Sequence, residues 1–236
     1  MENSKTYSYS IVENNGKKYF KKELNLVDDG HIQMLNNELH KWNLLKRYPF
    51  IPDICYFDND KQHYIMYEYI EGENLSNYKF NDLKEKIEVL ASVAEKLYII
   101  HQLFLVHGDL KPTNIMITPN KDIYIIDFAT SKYVGERIVY GTKKYCSINQ
   151  LNKEKADIYF DIYALGIIMY ELLTDKKAYF DKNDEEMLEL KKNADLSIIN
   201  DNSAVPLEME KIFVKMINDE YASMLEIKND LLSLAL

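Results

Sequence analysis

Two linked stretches decide the fold of this chain: His107-Gly108-Asp109-Leu110-Lys111-Pro112-Thr113-Asn114 and Ile123-Tyr124-Ile125-Ile126-Asp127-Phe128-Ala129. Short apolar runs at residues 105–106 and 115–117 flank the first stretch, and a third apolar run opens the second one. Short apolar runs of this kind are typical of buried strands. The sequence therefore predicts polar loops that are held between buried strands.

These polar loops carry two acids, one amide and one cation: Asp109, Asp127, Asn114 and Lys111. Because strands fix both loops, we expect the acids and the amide to converge at one site, with the Lys111 cation beside Asp109. Transfer of a γ-phosphoryl group needs such a set, namely a proton acceptor, oxygen ligands for Mg²⁺ and a cation on the transferred phosphate. An isolated acidic loop is usually a solvated turn.

The two stretches resemble the H-R-D-L-x-x-x-N and D-F-G patterns of the eukaryotic-like serine/threonine protein kinase family. The resemblance implies that Asp109 is the catalytic base and that Lys111 steadies the γ-phosphate of ATP. It implies that Asn114 and Asp127 are ligands of Mg²⁺. A lysine at the position of Lys111 is typical of serine/threonine kinases rather than tyrosine kinases.

The same resemblance implies an α+β, two-lobed protein-kinase-like fold, with a small antiparallel-sheet N-terminal lobe and a mainly helical C-terminal lobe. We expect the N-terminal lobe over residues 1–70 and the C-terminal catalytic lobe over residues 71–236, as one kinase-like domain. A chain of 236 residues is long enough to bury such a core.

Composition excludes several other classes of protein. A net charge of −9 argues against binding to nucleic acid or to an anionic membrane surface. The two cysteines have no metal-ligand spacing, which indicates a reducing compartment. There is no signal-peptide core, and the longest apolar run, residues 162–173, is too short to cross a bilayer. We therefore expect a cytoplasmic location, in the producing cell or in a host cell.

The N-terminal part of the chain predicts a β-hairpin. Residues 7–12 and 17–24 read as strands, and Asn14-Asn15-Gly16 is a strong turn between them. Within the second strand, Tyr19-Phe20-Lys21 resembles the kinase V-A-I-K strand, which implies that Lys21 binds the α- and β-phosphates of ATP. Lys22 is the alternative, because a shift of one residue moves a side chain to the other face of a strand.

A helix is predicted over residues 31–46, with Leu35, Leu39 and Trp42 on one face. Glu38 lies beside that face, where an acid is suited to meet a buried lysine. By resemblance Glu38 is the glutamate that pairs with Lys21, and a solvated glutamate at the edge of the face is the alternative.

The strands predicted at residues 54–57 and 64–67 lead into Glu68-Tyr69-Ile70-Glu71-Gly72, which resembles the hinge between kinase lobes. The resemblance implies that adenine bonds the carbonyl of Glu68 and the amide of Ile70. It also implies that Tyr67 closes the back of the adenine pocket and that Asn74 reaches the ribose.

Helical periodicity continues through the second half of the chain, with helices predicted over residues 83–101, 157–174, 207–217 and 224–234. The polar segment 181–201 predicts short helices and loops. Gly141-Thr142-Lys143-Lys144-Tyr145 resembles the family's G-T-x-x-Y segment, whose threonine bonds the catalytic aspartate. Asp161 resembles the aspartate that holds the catalytic loop through backbone hydrogen bonds.

The sequence departs from the family pattern at four places, of which two bear on nucleotide binding and on control. Gly16, in the hairpin, is the only glycine before Lys21, so the N-terminal lobe is predicted to be truncated, without the glycine-rich loop that covers the phosphates. Gly108 replaces the arginine of H-R-D, which normally receives a phosphorylated activation segment. Control by such phosphorylation is therefore not expected.

Three functions follow from these motifs, of which the leading one is an ATP- and Mg²⁺-dependent serine/threonine kinase with a protein substrate. The missing glycine-rich loop favours a pseudokinase that acts as a binding module. The complete set of six polar residues argues against it: Lys21, Glu38, Asp109, Lys111, Asn114 and Asp127. The H-G-D variant also fits a small-molecule kinase, but Lys111 and the segment after Gly141 favour a protein substrate.

Overall fold

Strands dominate the first part of the chain and helices the rest. A computed structural model describes residues 6–58, 63–137, 141–152, 154–179, 182–192 and 205–234. The elements in these residues are, in order, β1 (Tyr7–Asn14), β2 (Lys17–Leu24), α1 (Asp29–Leu45), β3 (Ile54–Asp58), β4 (Tyr64–Glu68), β5 (Glu73–Asn74), α2 (Leu83–His101), β6 (Leu105–Val106), a 3₁₀ turn (Pro112–Asn114), β7 (Ile115–Ile117), β8 (Ile123–Ile125), β9 (Lys132–Tyr133), α3 (Ile148–Leu151), α4 (Tyr159–Thr174), α5 (Asp184–Lys192), α6 (Leu207–Ile217) and α7 (Met224–Leu234).

The first four strands form one antiparallel sheet in the order β1-β2-β4-β3. The predicted hairpin between β1 and β2 is confirmed, because Asn15 and Gly16 both take positive φ angles, 52° and 72°. Such angles match a type I′ turn, which asparagine and glycine tolerate best. Residues 59–62, between β3 and β4, lie outside the described residues.

Helix α1 packs on this sheet and buries Leu35, Glu38, Lys41 and Leu45. Asp28 caps its first turn by accepting a hydrogen bond from the His31 amide at 2.9 Å. The buried stripe differs from the predicted one, since two of the predicted apolar residues are only half-buried. Two charged residues, Glu38 and Lys41, therefore face inward from the middle of this helix.

The larger core is built around α4, in which every residue from Phe160 to Glu171 is buried. A helix that is apolar on all sides belongs at the centre of a domain. Helix α2 packs against α4 and also against α7, and α6 packs on α4. The α+β architecture expected from the sequence, a small antiparallel sheet followed by a mainly helical part, is confirmed.

Two small sheets, β5-β7-β8 and β6-β9, position the loops that carry the polar motifs. Strands β6 and β7 bracket the loop from residue 107 to 114, and β8 leads directly into Asp127. Gly72, which precedes β5, is required by close packing. A Cβ atom there would lie 2.3 Å from the Ile117 carbonyl oxygen.

The helices over residues 83–101, 207–217 and 224–234 have the predicted bounds, and the helix expected from residue 157 begins at Tyr159. The polar segment predicted over residues 181–201 contains α5, and its remainder from residue 193 lies outside the described residues. Among the helices that the structure describes, no helix is both long and apolar enough to cross a membrane.

Candidate active site

The carboxylate of Asp109 is held on both oxygens. Lys111 Nζ donates to Oδ2 at 2.7 Å, and the backbone amide of Thr142 donates to Oδ1 at 2.6 Å. Lys111 Nζ also donates to Thr142 Oγ1 at 3.1 Å. The predicted position of Lys111 beside Asp109 is confirmed. The predicted contact between Thr142 and Asp109 is present too, through the threonine amide.

Asp161 anchors the start of this loop from the buried helix α4. Its carboxylate accepts hydrogen bonds from the His107 amide at 2.8 Å and the Gly108 amide at 2.9 Å, and His101 Nε2 lies 2.9 Å away. Burial favours the neutral acid, but the contact with His101, together with His107 and the Gly108 amide, outweighs it and lowers the pKa of Asp161. The predicted role of Asp161 in holding the loop backbone is confirmed.

Gly108 makes this loop geometry possible, because its φ angle of 77° lies in the left-handed region that favours glycine. Its carbonyl accepts a hydrogen bond from Gln150 Nε2 at 2.6 Å. Sequence reasoning missed Gln150, and no motif could have indicated it, since the contact joins residues that are far apart in the sequence.

Asn114 and Asp127 lie side by side. The amide of Ile126 donates to the Asn114 carbonyl at 3.0 Å, which places the residue after Ile126 next to Asn114. Asp127 has a φ angle of 68°. Outside glycine, aspartate and asparagine are among the residues that tolerate this region best. Behind Asp127, the rings of Phe128 and His107 pack with their centroids 4.9 Å apart.

Lys22 joins the sheet, the helix α1 and the residue Asp127. Its Nζ donates to Glu38 Oε2 at 2.8 Å and to Asp127 Oδ1 at 2.8 Å. The side chains of Lys22 and Glu38 are each only 4 % exposed. The Tyr67 hydroxyl donates to the other oxygen of Glu38. The structure thus brings together three charged residues from three separate elements.

The predicted pairing of Lys21 with Glu38 is wrong. Lys21 points to the opposite face of β2, where its Nζ pairs with Glu23 at 2.8 Å and lies 4.6 Å from the centre of the Tyr64 ring. Successive side chains of a strand alternate between faces, so the lysine that faces α1 is Lys22, two residues before the buried Leu24. The alternative that the sequence left open is therefore the correct partner.

Charge balance around Lys22 shifts three pKa values. Burial opposes the charged ammonium, but Asp127 and Glu38 outweigh it and hold the pKa of Lys22 well above its ordinary value. Burial raises the pKa of Glu38 although Lys22 opposes it. Burial also favours the neutral form of Asp127, but Lys22 and Lys111 outweigh it and lower the pKa of Asp127. Asp127 is therefore charged at neutral pH.

The residues predicted to contact adenine and ribose lie along the link between β4 and β7. Glu68 ends β4, with its amide bonded to the Asp53 carbonyl at 2.8 Å, and Ile70 follows in the link to β5. Asn74 pairs with Met116 across the small sheet, and its Oδ1 accepts a hydrogen bond from Ser76 Oγ at 2.5 Å. Their contacts with a nucleotide stay predictions.

The residues at Asn114 and Asp127 fit a magnesium site. Asn114 donates from its amide nitrogen to the Asp109 carbonyl at 2.9 Å, which leaves its amide oxygen for a metal. Asp127 uses Oδ1 for Lys22 and retains Oδ2. The described residues contain no group of three or more His, Cys, Asp or Glu side chains arranged for a metal. Mg²⁺ commonly takes one or two protein oxygens and completes its shell with phosphate and water.

Two further side chains of α1 contact the segment after Asp127 and were missed by sequence reasoning. Asn37 Nδ2 donates to the Ala129 carbonyl at 2.8 Å and the Ser131 carbonyl at 3.2 Å. The ammonium of the buried Lys41 lies 3.4 Å from the centre of the Tyr133 ring. These contacts fix the segment that follows Asp127 against α1.

Comparison with known proteins agrees with this geometry. The family described as "Protein kinase domain" matches residues 4–229. A Lactococcus lactis protein named "Probable serine/threonine-protein kinase PknB" is 30% identical over 198 residues, which are 76% of this chain and 31% of the relative. A Mycolicibacterium smegmatis protein named "Serine/threonine-protein kinase PknB" is 31% identical over 128 residues, 49% of this chain and 20% of the relative.

A viral protein also resembles the chain. "Serine/threonine-protein kinase 1" of Heliothis zea nuclear polyhedrosis virus is 30% identical over 176 residues, which are 72% of this chain and 64% of the relative. The chain thus spans about a third or less of the two bacterial relatives and just under two thirds of the viral one.

Proposed function

The chain belongs to the protein kinase domain family, and from this premise we propose that it transfers the γ-phosphoryl group of ATP to a serine or threonine hydroxyl of a protein substrate. The observation that carries the proposal is the contact of the buried Lys22 with both the buried Glu38 and the partly exposed Asp127. A buried charge loses solvation, so a functional role explains the two buried charges of this cluster, Lys22 and Glu38, better than stability does. The names of the relatives, all serine/threonine kinases, support the same activity.

The nucleotide contacts are assigned by motif and position. Lys22 takes the α- and β-phosphates, oriented by Glu38. The carbonyl of Glu68 and the amide of Ile70 bond the adenine, and Asn74 reaches the ribose. The link that carries these residues is the boundary between an N-terminal lobe, residues 1–70, and a C-terminal catalytic lobe, residues 71–236.

Asp109 and Lys111 perform the transfer step. Asp109 accepts the proton of the substrate hydroxyl while the hydroxyl oxygen bonds to the γ-phosphorus, and the bond from that phosphorus to the β–γ bridging oxygen breaks to release ADP. Thr142 and Lys111 orient the Asp109 carboxylate through its two oxygens. Lys111, beside the reacting oxygen, stabilises the negative charge on the transferred group.

The proposed metal site lies at Asn114 and Asp127, and the oxygens that these residues retain support the proposal. The Asn114 amide oxygen and Asp127 Oδ2 would hold Mg²⁺ together with phosphate oxygens. The bound ion would neutralise charge on the β- and γ-phosphates. Lys22 keeps Asp127 ionised, because its ammonium and that of Lys111 lower the pKa of this acid despite burial.

Two alternatives make different predictions. A pseudokinase would bind nucleotide or a partner without transfer, and the position of Gly16 as the only glycine before Lys22 favours this reading. A small-molecule kinase would phosphorylate an alcohol and ignore proteins. Binding to nucleic acid or to a membrane is not part of the proposal, and the cytoplasmic location stays a prediction.

Purified protein incubated with Mg²⁺ and γ-labelled ATP tests the proposal, with dephosphorylated casein and the protein itself as acceptors. We expect label on serine and threonine of at least one acceptor, and far less label with Asp109→Asn. Binding of ATP without any transfer would favour the pseudokinase. Label on small alcohols alone would favour the small-molecule kinase.

A further inference from the structure

Lys191 of α5 is a buried lysine whose ammonium reaches the segment beside Asp109. It is 6% exposed, and its Nζ donates to the carbonyls of Cys146 at 2.7 Å and Lys144 at 3.1 Å. A third hydrogen bond goes to the Tyr163 hydroxyl of α4 at 3.2 Å. An ammonium group has three donors, so the charged form of Lys191 is fully satisfied here.

No carboxylate is among the contacts described for Lys191. The rings of Tyr163 and Tyr179 lie with their centres 4.8 Å and 4.3 Å from Nζ, and the two tyrosine hydroxyls are 3.0 Å apart. Burial raises the pKa of the Cys146 thiol to about 12 and that of Tyr163 well above its ordinary value, so both groups are neutral. Among the described residues, two backbone carbonyls, the Tyr163 hydroxyl and two tyrosine ring faces compensate the charge of Lys191.

The two carbonyls belong to a tight turn that also contacts Asp109. The amides of Tyr145 and Cys146 donate to the Thr142 carbonyl at 2.8 Å and 3.2 Å, while the Thr142 amide bonds Asp109. Just before the turn, a Cβ atom on Gly141 would lie 2.6 Å from Cys146 Sγ. The turn from Thr142 to Cys146, called the substrate turn below, thus links Asp109 at one end to Lys191 at the other.

A second hydrogen-bonded contact that the structure describes between α5 and the substrate turn lies at the surface. Lys143 pairs with Asp184 at the start of α5, and both side chains are more than half exposed. An exposed pair of this kind contributes little to stability. From the other side, the Tyr145 hydroxyl donates to Glu171 Oε2 at 3.0 Å. Among the described hydrogen bonds between α5 and the turn, the buried ones are therefore those of Lys191.

We propose that Lys191 is a positioning residue for the protein substrate: its charged ammonium fixes the carbonyls of residues 144 and 146 and so keeps the substrate turn in place beside Asp109. The inference rests on the proposed function and names the group that orders its acceptor site. Loss of a proton from the Lys191 ammonium removes one donor and the positive charge, which weakens the hydrogen bonds to the carbonyls of the turn.

Titration of Lys191 falls near physiological pH. Burial lowers the pKa of Lys191 to about 7, and the Cys146 thiol opposes this shift only weakly. The substrate turn is therefore held more firmly at pH 6 than at pH 8. The folded-state pKa lies below the value of about 10.4 in an unfolded chain. The folded state gains stability between these values as pH rises, so loosening of the turn is not global unfolding.

The first experiment measures kcat/KM for dephosphorylated casein between pH 6 and pH 8. For wild type we expect a fall of about tenfold, which is the ratio of charged fractions at these two values for a pKa of about 7. In Lys191→Arg the side chain stays charged over this pH range, so the fall in kcat/KM that Lys191 causes should be absent. Lys191→Met should raise the KM for casein already at pH 6, with the KM for ATP within about twofold of wild type. Lys192→Met, at the exposed neighbouring position, is the matched control and should follow wild type.

The second experiment needs no acceptor, so it separates failure of this inference from failure of the proposed function. Amide hydrogen exchange of residues 142–147 is measured at pH 6 and pH 8 and corrected for intrinsic rates. Lys191→Met should expose these amides at pH 6, while α2 stays protected. Equal protection of the turn in wild type and Lys191→Met at both pH values would overturn the proposal, whether or not casein is phosphorylated. A casein pH profile that Lys191→Arg leaves unaltered would also overturn it.

Discussion

Lys22 and Glu38 form a buried ion pair, with a nitrogen–oxygen distance of 2.8 Å and both side chains almost fully excluded from solvent. The same Lys22 nitrogen contacts Asp127, so the pair is joined to the proposed metal site. Removal of one member leaves a charge buried without its partner, which destabilises far more than loss of an exposed pair.

Replacement of this lysine should therefore stop phosphoryl transfer. We expect Lys22→Met to reduce the rate of casein phosphorylation by about 100-fold or more, as for loss of a charged group that acts on the transition state. Lys21→Met is the matched control, since Lys21 lies on the other face of the same strand, and it should keep at least half of the wild-type rate. Steady-state kinetics of both variants tests this prediction. A larger loss of rate for Lys21→Met than for Lys22→Met would contradict the assignment.

The second prediction concerns Asp109. Asp109→Asn preserves the shape and keeps an oxygen for the Thr142 amide, but it cannot accept the substrate proton. We expect kcat to fall by about 10²- to 10⁴-fold, the usual contribution of a general base. Nucleotide binding, measured by thermal shift, should be nearly unaltered. Asp122→Asn, an exposed acid near β8, serves as control, and a wild-type rate in Asp109→Asn would remove Asp109 from the mechanism.

Much of the fold could be predicted because its signals are local. The helix over residues 83–101 shows its apolar face in the sequence itself, and Asn15-Gly16 supplies the two positive φ angles that a tight hairpin needs. Asp109, Lys111 and Asn114 lie within six residues, so their proximity follows from one loop. The contact of Asp161 with that loop was expected from the motif alone.

The features that the sequence did not predict depend on which face of a strand a residue occupies or on tertiary contacts. Both faces of β2 carry polar and aromatic residues, so alternation did not separate Lys21 from Lys22. The buried Leu24 at the end of the strand does separate them, since residues two apart share a face. The sequence did not indicate the contacts of Lys191, because its partners lie in the substrate turn and in α4, far away in the sequence.

The third prediction concerns the metal. Because Asn114 and Asp127 retain oxygens for a divalent cation, ATP should raise the melting temperature clearly with Mg²⁺ present and only weakly after chelation by EDTA. Addition of Mg²⁺ in excess over EDTA should restore the effect. EDTA without ATP is the control and should leave the melting temperature unchanged. An equal effect of ATP with and without Mg²⁺ would argue against the assigned site.

The fourth prediction concerns Asp161 and acid. Its contacts with His101, with His107 and with the Gly108 amide lower the pKa of Asp161 despite its burial, so the folded state favours the charged form. The stability that this charge contributes is present above the unfolded-state pKa and is lost as pH falls through the folded-state pKa. We expect Asp161→Asn to lower the free energy of unfolding by about 2 kcal/mol at pH 7, as for hydrogen bonds to a charged group.

Urea unfolding of both proteins between pH 7 and strongly acidic pH measures this effect. The difference in the free energy of unfolding between wild type and Asp161→Asn should become smaller as the solution becomes acidic. Asp161 of the wild type is then protonated and loses the same charge. Asp175→Asn, an exposed acid whose positive φ angle asparagine tolerates, is the control and should match wild type. A difference that stays constant with pH would mean that Asp161 acts only through its shape.

The last prediction concerns control by phosphorylation. In kinases with arginine before the catalytic aspartate, a phosphate on the activation segment meets that charge. Here the position is Gly108, whose φ angle of 77° disfavours any side chain, so this position supplies no charge to meet a phosphate. The substrate turn is instead held by internal contacts, among them that of the Thr142 amide with Asp109 and those of the buried Lys191. We therefore expect the protein to be active as synthesised.

Phosphatase-treated and untreated protein should show the same initial rate with casein, without a lag during autophosphorylation. Possible acceptors in the segment after Asp127 include Thr130, Tyr133, Tyr140 and Thr142, while Ser131 is fully buried. A fivefold or greater loss after phosphatase treatment, restored by incubation with ATP, would contradict the prediction. It would then assign the phosphate to another cation, with Lys132, Arg137, Lys143 and Lys144 as the candidates in the segment. Replacement of each by methionine would identify it, because the true partner alone should abolish the restoration by ATP.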